Sequence, residues 1–139
     1  NRVIAAYQQL GFKLVVDPSV NYSGYFDARS RSITMKQIDD SVYHELGHFL
    51  AFIAGNVDKT ASFQSIFAAE KANVTAFNKA YVTQNASEYF AESVKDYILN
   101  NASLKSTRPQ TYAAVQNALN QITDAQIAKI QKIYGAFWN

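Results

Sequence analysis

The segment YHELGHFLAF, residues 43–52, limits the folds open to this chain more than any other. It carries both histidines of the 139-residue chain, His44 and His48, with Glu45 directly after the first. On an α-helix, residues i and i+4 stand one turn apart on the same face. The flanking residues are apolar on most sides, so the segment reads as a buried helix over about 39–54. Asp39 or Asp40 can cap its start, and Gly55 fits the position just past its end. Burying two imidazoles and a carboxylate together is costly unless something compensates, and a metal ion does so.

H-E-x-x-H on a helix is a zinc-binding pattern in which the acid can serve as general base. Zinc accepts imidazole nitrogen at ~2.0–2.1 Å, and a catalytic zinc keeps three protein ligands and one open position. Such an ion lowers the pKa of its water and polarises a carbonyl. Glu45 would take the proton from that water and pass it to the leaving amine. The third ligand must be a carboxylate, because the chain has no further histidine and no cysteine. Ala51 and Ala54 stand where the extended H-E-x-x-H-x-x-G-x-x-H motif needs glycine and histidine. Asp17 and Asp27 sit in or near turns, Asp39 and Asp40 precede the helix, and Asp58 and Glu70 read as solvated acids flanking the next one. Asp124 suits a helix start. The remaining acids, Glu88, Glu92 and Asp96, lie in NASEYFAESVKDY. Glu88 and Glu92 share a helix face. Glu88 comes first and is the better placed ligand, and Glu92 could hold a ligand imidazole through its second nitrogen. Two simpler roles stay open from spacing: Glu88 in a capping box with Asn85, and Glu92 as a solvated helix acid.

The rest of the chain suits one compact domain of α+β class, strands first and helices later. A helix over 2–10, with Val3, Ile4, Tyr7 and Leu10 on one side, leads to a strand FKLVV. A β-hairpin follows, with Tyr25 and Phe26 in one strand, Ile33 and Met35 in the next, and 28–31 as its connection. Helices are expected over 60–72, with Phe63, Ile66 and Phe67 inward, over 87–99, after Pro109, and after Thr123. The last carries Ile127, Ile130, Ile133, Tyr134 and Phe137 as a core stripe. No apolar run reaches the ~20 residues of a membrane span. A net charge of +2, scattered along the chain, argues against a nucleic-acid partner. The absence of cysteine rules out thiol catalysis and disulfides and suits an exported protein. The chain opens at Asn1, so any signal peptide or upstream region is expected outside it.

Over about residues 40–120 the chain resembles the lethal factor-like zinc metalloproteases, a family that includes the anthrax lethal factor catalytic domain and the secreted Pro-Pro endopeptidases. The resemblance rests on HELGH, ASFQSIFAAE, SEYFAESVKDYIL, the tyrosine seven residues before EYFAES, and PQTYAAVQNAL. It implies a zincin-like fold of the gluzincin type, in which a small sheet and active-site helix (1–56) join a helical part (57–139) in a single catalytic domain. It implies one Zn2+ per chain on His44, His48 and Glu88, with Glu45 as base and Glu92 behind a ligand. Tyr81 would be the phenol facing the oxyanion. The implied activity is secreted, extracellular bacterial metalloendopeptidase, with proline-rich (Pro-Pro) cleavage as one option. The implied protein or peptide substrate binds as an extended strand, for which the segment Gly24, Tyr25 and Phe26 is the expected edge. A monomer is expected. Two alternatives stay open: the catalytic-type domain of a larger lethal-factor-like toxin, and an inactive zincin-like binding module.

Overall fold

A computed structural model describes residues 2–138. Helix α1 (Arg2–Gln9) precedes strand β1 (Lys13–Val16), the hairpin strands β2 (Gly24–Asp27) and β3 (Ser32–Met35), and the long helix α2 (Ser41–Ile53). The remainder is helical: α3 (Ala61–Glu70), α4 (Lys79–Val82), α5 (Ala86–Leu99), α6 (Asn101–Thr107), α7 (Pro109–Asn120) and α8 (Asp124–Trp138). The α+β order expected from the sequence is therefore the observed one. The short helices α4 and α6 carry no apolar stripe of their own and were not among the expected elements.

The sheet order is β1-β3-β2, with β1 parallel and β2 antiparallel to β3. Ile33 and Met35 point from the central strand into the core, as strand alternation requires. Strand β2 is an edge. Ser23 O accepts from Lys36 N at 3.1 Å, so in the antiparallel alternation Tyr25 and Asp27 bond inward. The backbone groups of Gly24 and Phe26 then face outward.

Helix α2 runs through the centre. One side packs on an aromatic cluster of Tyr7, Phe12, Phe26, Phe49 and Phe52 that Trp138 closes from α8. The other side lies on α5. Its C-terminus is a Schellman turn: Gly55 at φ +86° donates to Phe52 O, and Asn56 donates to Ala51 O at 2.8 Å. At the other end Asp39, not Asp40, does the capping, accepting from Ser41 N at 2.9 Å.

Three readings of burial are corrected by the structure. In α1, Ile4 is exposed and Ala6 takes its place in the core. In α8, Ile127 and Ile130 are buried, while Ile133 and Phe137 face out. There Tyr134 and Trp138 stack on each other, pack tilted against Phe52 and use up the inward face, leaving Phe137 one step round the helix. Asp58 and Glu70 are buried, not solvated. Glu70 accepts from the backbone N–H groups of Gln110 and Thr111 and from the Thr111 hydroxyl, and so supplies the anion at the N-terminus of α7. Asp58 accepts from Ser87 Oγ at 2.7 Å and pins the first turn of α5 to the turn after α2.

Tyr7 ties α1 to the sheet: its hydroxyl donates to Lys13 O and accepts from Ile33 N. Burial pushes its pKa from 10.0 up to about 12, against the Ile33 bond, which lowers it. The folded chain thus holds this proton more tightly than the unfolded one. The contribution is full below pH 10.0 and is lost as pH rises toward about 12. Urea midpoints should fall across that window, and Tyr7→Phe should flatten part of the fall; an unchanged slope in the variant would contradict this assignment.

Candidate metal centre

Helices α2 and α5 place four of the predicted groups together. His44 Nε2 lies 2.9 Å and His48 Nε2 3.1 Å from the same oxygen, Glu88 Oε1. The two imidazoles and the carboxylate offer ligand atoms that all fall within 4.8 Å of one another. Behind them, His44 donates from Nδ1 to Glu92 Oε1 at 2.9 Å. Tyr81, in α4, donates from its hydroxyl to Glu88 Oε1 at 3.3 Å. Glu45 is buried, turned toward β2, and accepts from Phe26 N. Gly24 and Phe26 line the same cleft as Glu45, His48, Tyr81 and Glu88, with Tyr25 at its rim.

The local reasons are visible in the sequence. Asn85 caps α5, its side chain accepting from Glu88 N at 2.8 Å. Half of the capping box left open as an alternative role for Glu88 is therefore present. The Glu88 carboxylate, though, turns to the imidazoles instead of back to its own cap. Helix–helix approach depends on Gly47, where a Cβ would stand 2.6 Å from Ala91 O and 2.7 Å from Ala91 Cα. Gly47 sits between the two histidines, and Ala91 sits between Glu88 and Glu92. Gly24 does the same on the sheet side, where a Cβ would meet Glu45 Cγ and Met35 Sδ at 2.9 Å. The His48 ring lies nearly parallel to that of Phe26, with centroids 6.4 Å apart.

Electrostatics follow from burial set against close partners. Burial of the His44 ring opposes its charge, but hydrogen bonds to Glu88 and Glu92, with Glu45 near, raise its pKa from 6.5 to about 9. Burial tends to raise Glu88, yet the bonds from His44 and His48 outweigh it and hold the carboxylate well below the usual range. Glu92 is likewise lowered, burial being overcome by the His44 bond and the Lys95 charge. Burial pushes Glu45 up, only partly offset by the two histidines. Burial and the Glu88 charge push Tyr81 up to about 12, so its hydroxyl remains a donor at neutral pH.

The donor set suits a small divalent ion. Two ligands of a tetrahedral zinc with bonds of ~2.0–2.1 Å stand ~3.3 Å apart. The 2.9 and 3.1 Å separations between imidazole nitrogens and carboxylate are close to that span. Glu92 fixes the tautomer of His44 so that Nε2 can present a lone pair, the outer-shell arrangement usual for ligating histidine. Sequence reasoning read Asp58 as solvated and gave Ser87 and Lys95 no role; Asp58 and Ser87 brace the site, and Lys95 pairs with Glu92. A single acid in the polar stretch NVDKTAS gives no periodic signal of burial.

A buried helix with two imidazoles, a carboxylate from a second helix and an acid at the cleft brings together a group that could hold a metal ion. The chain belongs to the anthrax toxin lethal factor N- and C-terminal domain family, whose model matches residues 21–118. It is 41% identical over 78 residues to the Pro-Pro endopeptidase of Clostridioides difficile (strain 630). That alignment covers 53% of this chain and 34% of the relative, so the chain matches about a third of that protein's length.

Proposed function

We propose that the chain is a secreted zinc metalloendopeptidase of zincin-like, gluzincin type, built as one catalytic domain. The observation that carries this is the convergence of His44 Nε2, His48 Nε2 and Glu88 Oε1, with Glu92 bonded behind His44. His44, His48 and Glu88 would hold one zinc ion. When bound, that ion supplies Lewis acidity and a water of lowered pKa. Glu45 takes the proton of the attacking water and returns it to the leaving amine. Its burial, which raises its pKa, brings proton affinity closer to the working pH. Tyr81 donates a hydrogen bond to the oxygen on which charge develops. The substrate lies as an added strand on β2, where the Gly24 N–H and C=O and the Phe26 C=O face outward. Glu45 already accepts from Phe26 N and would hold that end of the edge.

The test is hydrolysis of a quenched peptide library, with peptides carrying and lacking adjacent prolines, before and after chelation. The expected result is cleavage that stops with chelator and returns with zinc. One zinc per chain with no turnover would instead favour a binding module. Within the same assay, Tyr81→Phe should lose about 10²–10³-fold in kcat, the usual effect of removing one oxyanion donor. Its zinc content should stay at one per chain; unchanged kcat would remove Tyr81 from the mechanism.

A further inference from the structure

The sheet has two edges, and the proposed function uses only β2. The other edge is β1, with the sequence KLVV. It is exposed along its whole length, Leu14 and Val16 at 50% each and Val15 at 42%. Natural sheets normally blunt such an apolar edge with charge, proline or a covering segment. We propose that β1 is the seat of a homodimer: two copies of the chain pair antiparallel through this strand, about a two-fold axis at Val15, and join their sheets into one.

Backbone groups select the pairing. Lys13 N donates to Arg31 O and Asp17 N to Met35 O, each at 2.8 Å. In the parallel ladder with β3, alternation then turns Lys13, Val15 and Asp17 inward. The N–H and C=O of Leu14 and Val16 are left facing outward. An antiparallel pair centred on Val15 sets Leu14 opposite Val16 of the second copy. Those are the residues with outward groups, so they exchange both bonds, and the symmetry repeats the exchange across the axis.

Side chains select the register. With Val15 on the axis, Lys13 faces Asp17 of the second copy, at the closer spacing of a pair that exchanges no backbone bonds. Among the described residues, neither side chain has an ion pair within its own chain. Asp17 spends Oδ1 on Ser19 and has Oδ2 left. An axis at Leu14 would set Lys13 opposite Val15 and lose the charge pair. An axis at Val16 would set Leu14 opposite Pro18, which has no N–H to give. A parallel pairing would set Lys13 beside Lys13. Leu14 and Val16 share one face, where Leu14 borders an apolar groove with Ile4, Val42, Tyr43 and Leu46. Strand β2 lies at the far edge of each sheet and stays open to substrate.

A strand pair this short buries less than a permanent dimer needs, so the state depends on concentration. The monomer expected from the sequence is then the dilute form. Sedimentation equilibrium of the full chain from about 1 µM to 1 mM reads the change. The weight-average mass should climb from that of one chain toward twice that value. Val15→Glu sets two like charges across the axis and should hold the mass at one chain throughout. Lys13→Glu and Asp17→Lys, each alone, set like charges face to face and should weaken association about tenfold. Mixed one to one, these two variants should associate as wild type does, because every charge then meets its opposite. Asp17→Lys also gives up the turn bonds to Ser19; should it fail to fold, Val15→Glu and Lys13→Glu decide. A single-chain mass at every concentration overturns the proposal and leaves this edge to another partner. A dimer indifferent to Val15→Glu and Lys13→Glu overturns it as well, because the contact then lies elsewhere.

Discussion

Glu45→Gln should lower kcat/KM by about 10²–10⁴-fold, the span that positioned acid–base groups contribute. The amide keeps the size of the side chain and an acceptor for Phe26 N, so the β2 edge should stay in place. It cannot take up a proton. Glu45 is not one of the three converging ligand groups, so zinc content should remain at one per chain. The thermal midpoint should hold or rise, because a buried carboxylate whose charge is disfavoured has been replaced by a neutral group. Peptide hydrolysis, metal analysis and a melting curve on one preparation check all three. Retained activity would mean that the proton moves by another route.

Gly47→Ala should be the most damaging single-methyl change in the protein. Helix propensity alone favours alanine by ~0.8–1.0 kcal/mol. Packing opposes it: the new Cβ would sit 2.6–3.0 Å from three backbone atoms of Ala91, none of which can rotate away. Overpacking of this kind costs about 1–3 kcal/mol and outweighs the propensity gain. The strain is relieved only if α5 moves off α2, carrying Glu88 and Glu92 with it. Zinc affinity should fall about 10–100-fold, the range seen when the groups that orient metal ligands are disturbed. Activity should fall at least 10²-fold, as expected for misplacement near 1 Å. Gly135→Ala is the control. Its Cβ would meet only the flexible amide of Gln131, at 3.2 Å, so the propensity gain should survive and the melting point should not fall. A Gly47→Ala protein with normal stability and zinc affinity would contradict this packing account.

The histidine helix is legible because its apolar surroundings, its i, i+4 pair and its terminal glycine all favour one structure. Glu88 could be singled out by the absence of cysteine and of a third histidine, which left few acids able to reach the pair. What the sequence did not disclose depends on contacts between distant segments. Glu70 and Asp58 look solvated beside polar neighbours, yet both are buried because α7 and α5 bring N–H and hydroxyl donors to them. The exposure of Ile133 and Phe137 depends on Trp138 reaching the Phe12 and Phe52 rings, a long-range contact that no helical period shows. Lys95 stands in the polar stretch SVKDY, yet its side chain is only 28% exposed, and it lines a cavity with Gly24 of β2 and Tyr81 of α4.

One divalent ion should sit where α2 and α5 meet. Anomalous diffraction at the zinc edge, from crystals of protein loaded with one equivalent of zinc, tests it most directly. A single peak within about 2.3 Å of His44 Nε2, His48 Nε2 and a Glu88 oxygen is the predicted result. A peak elsewhere, or none at this junction with the metal present, would contradict it.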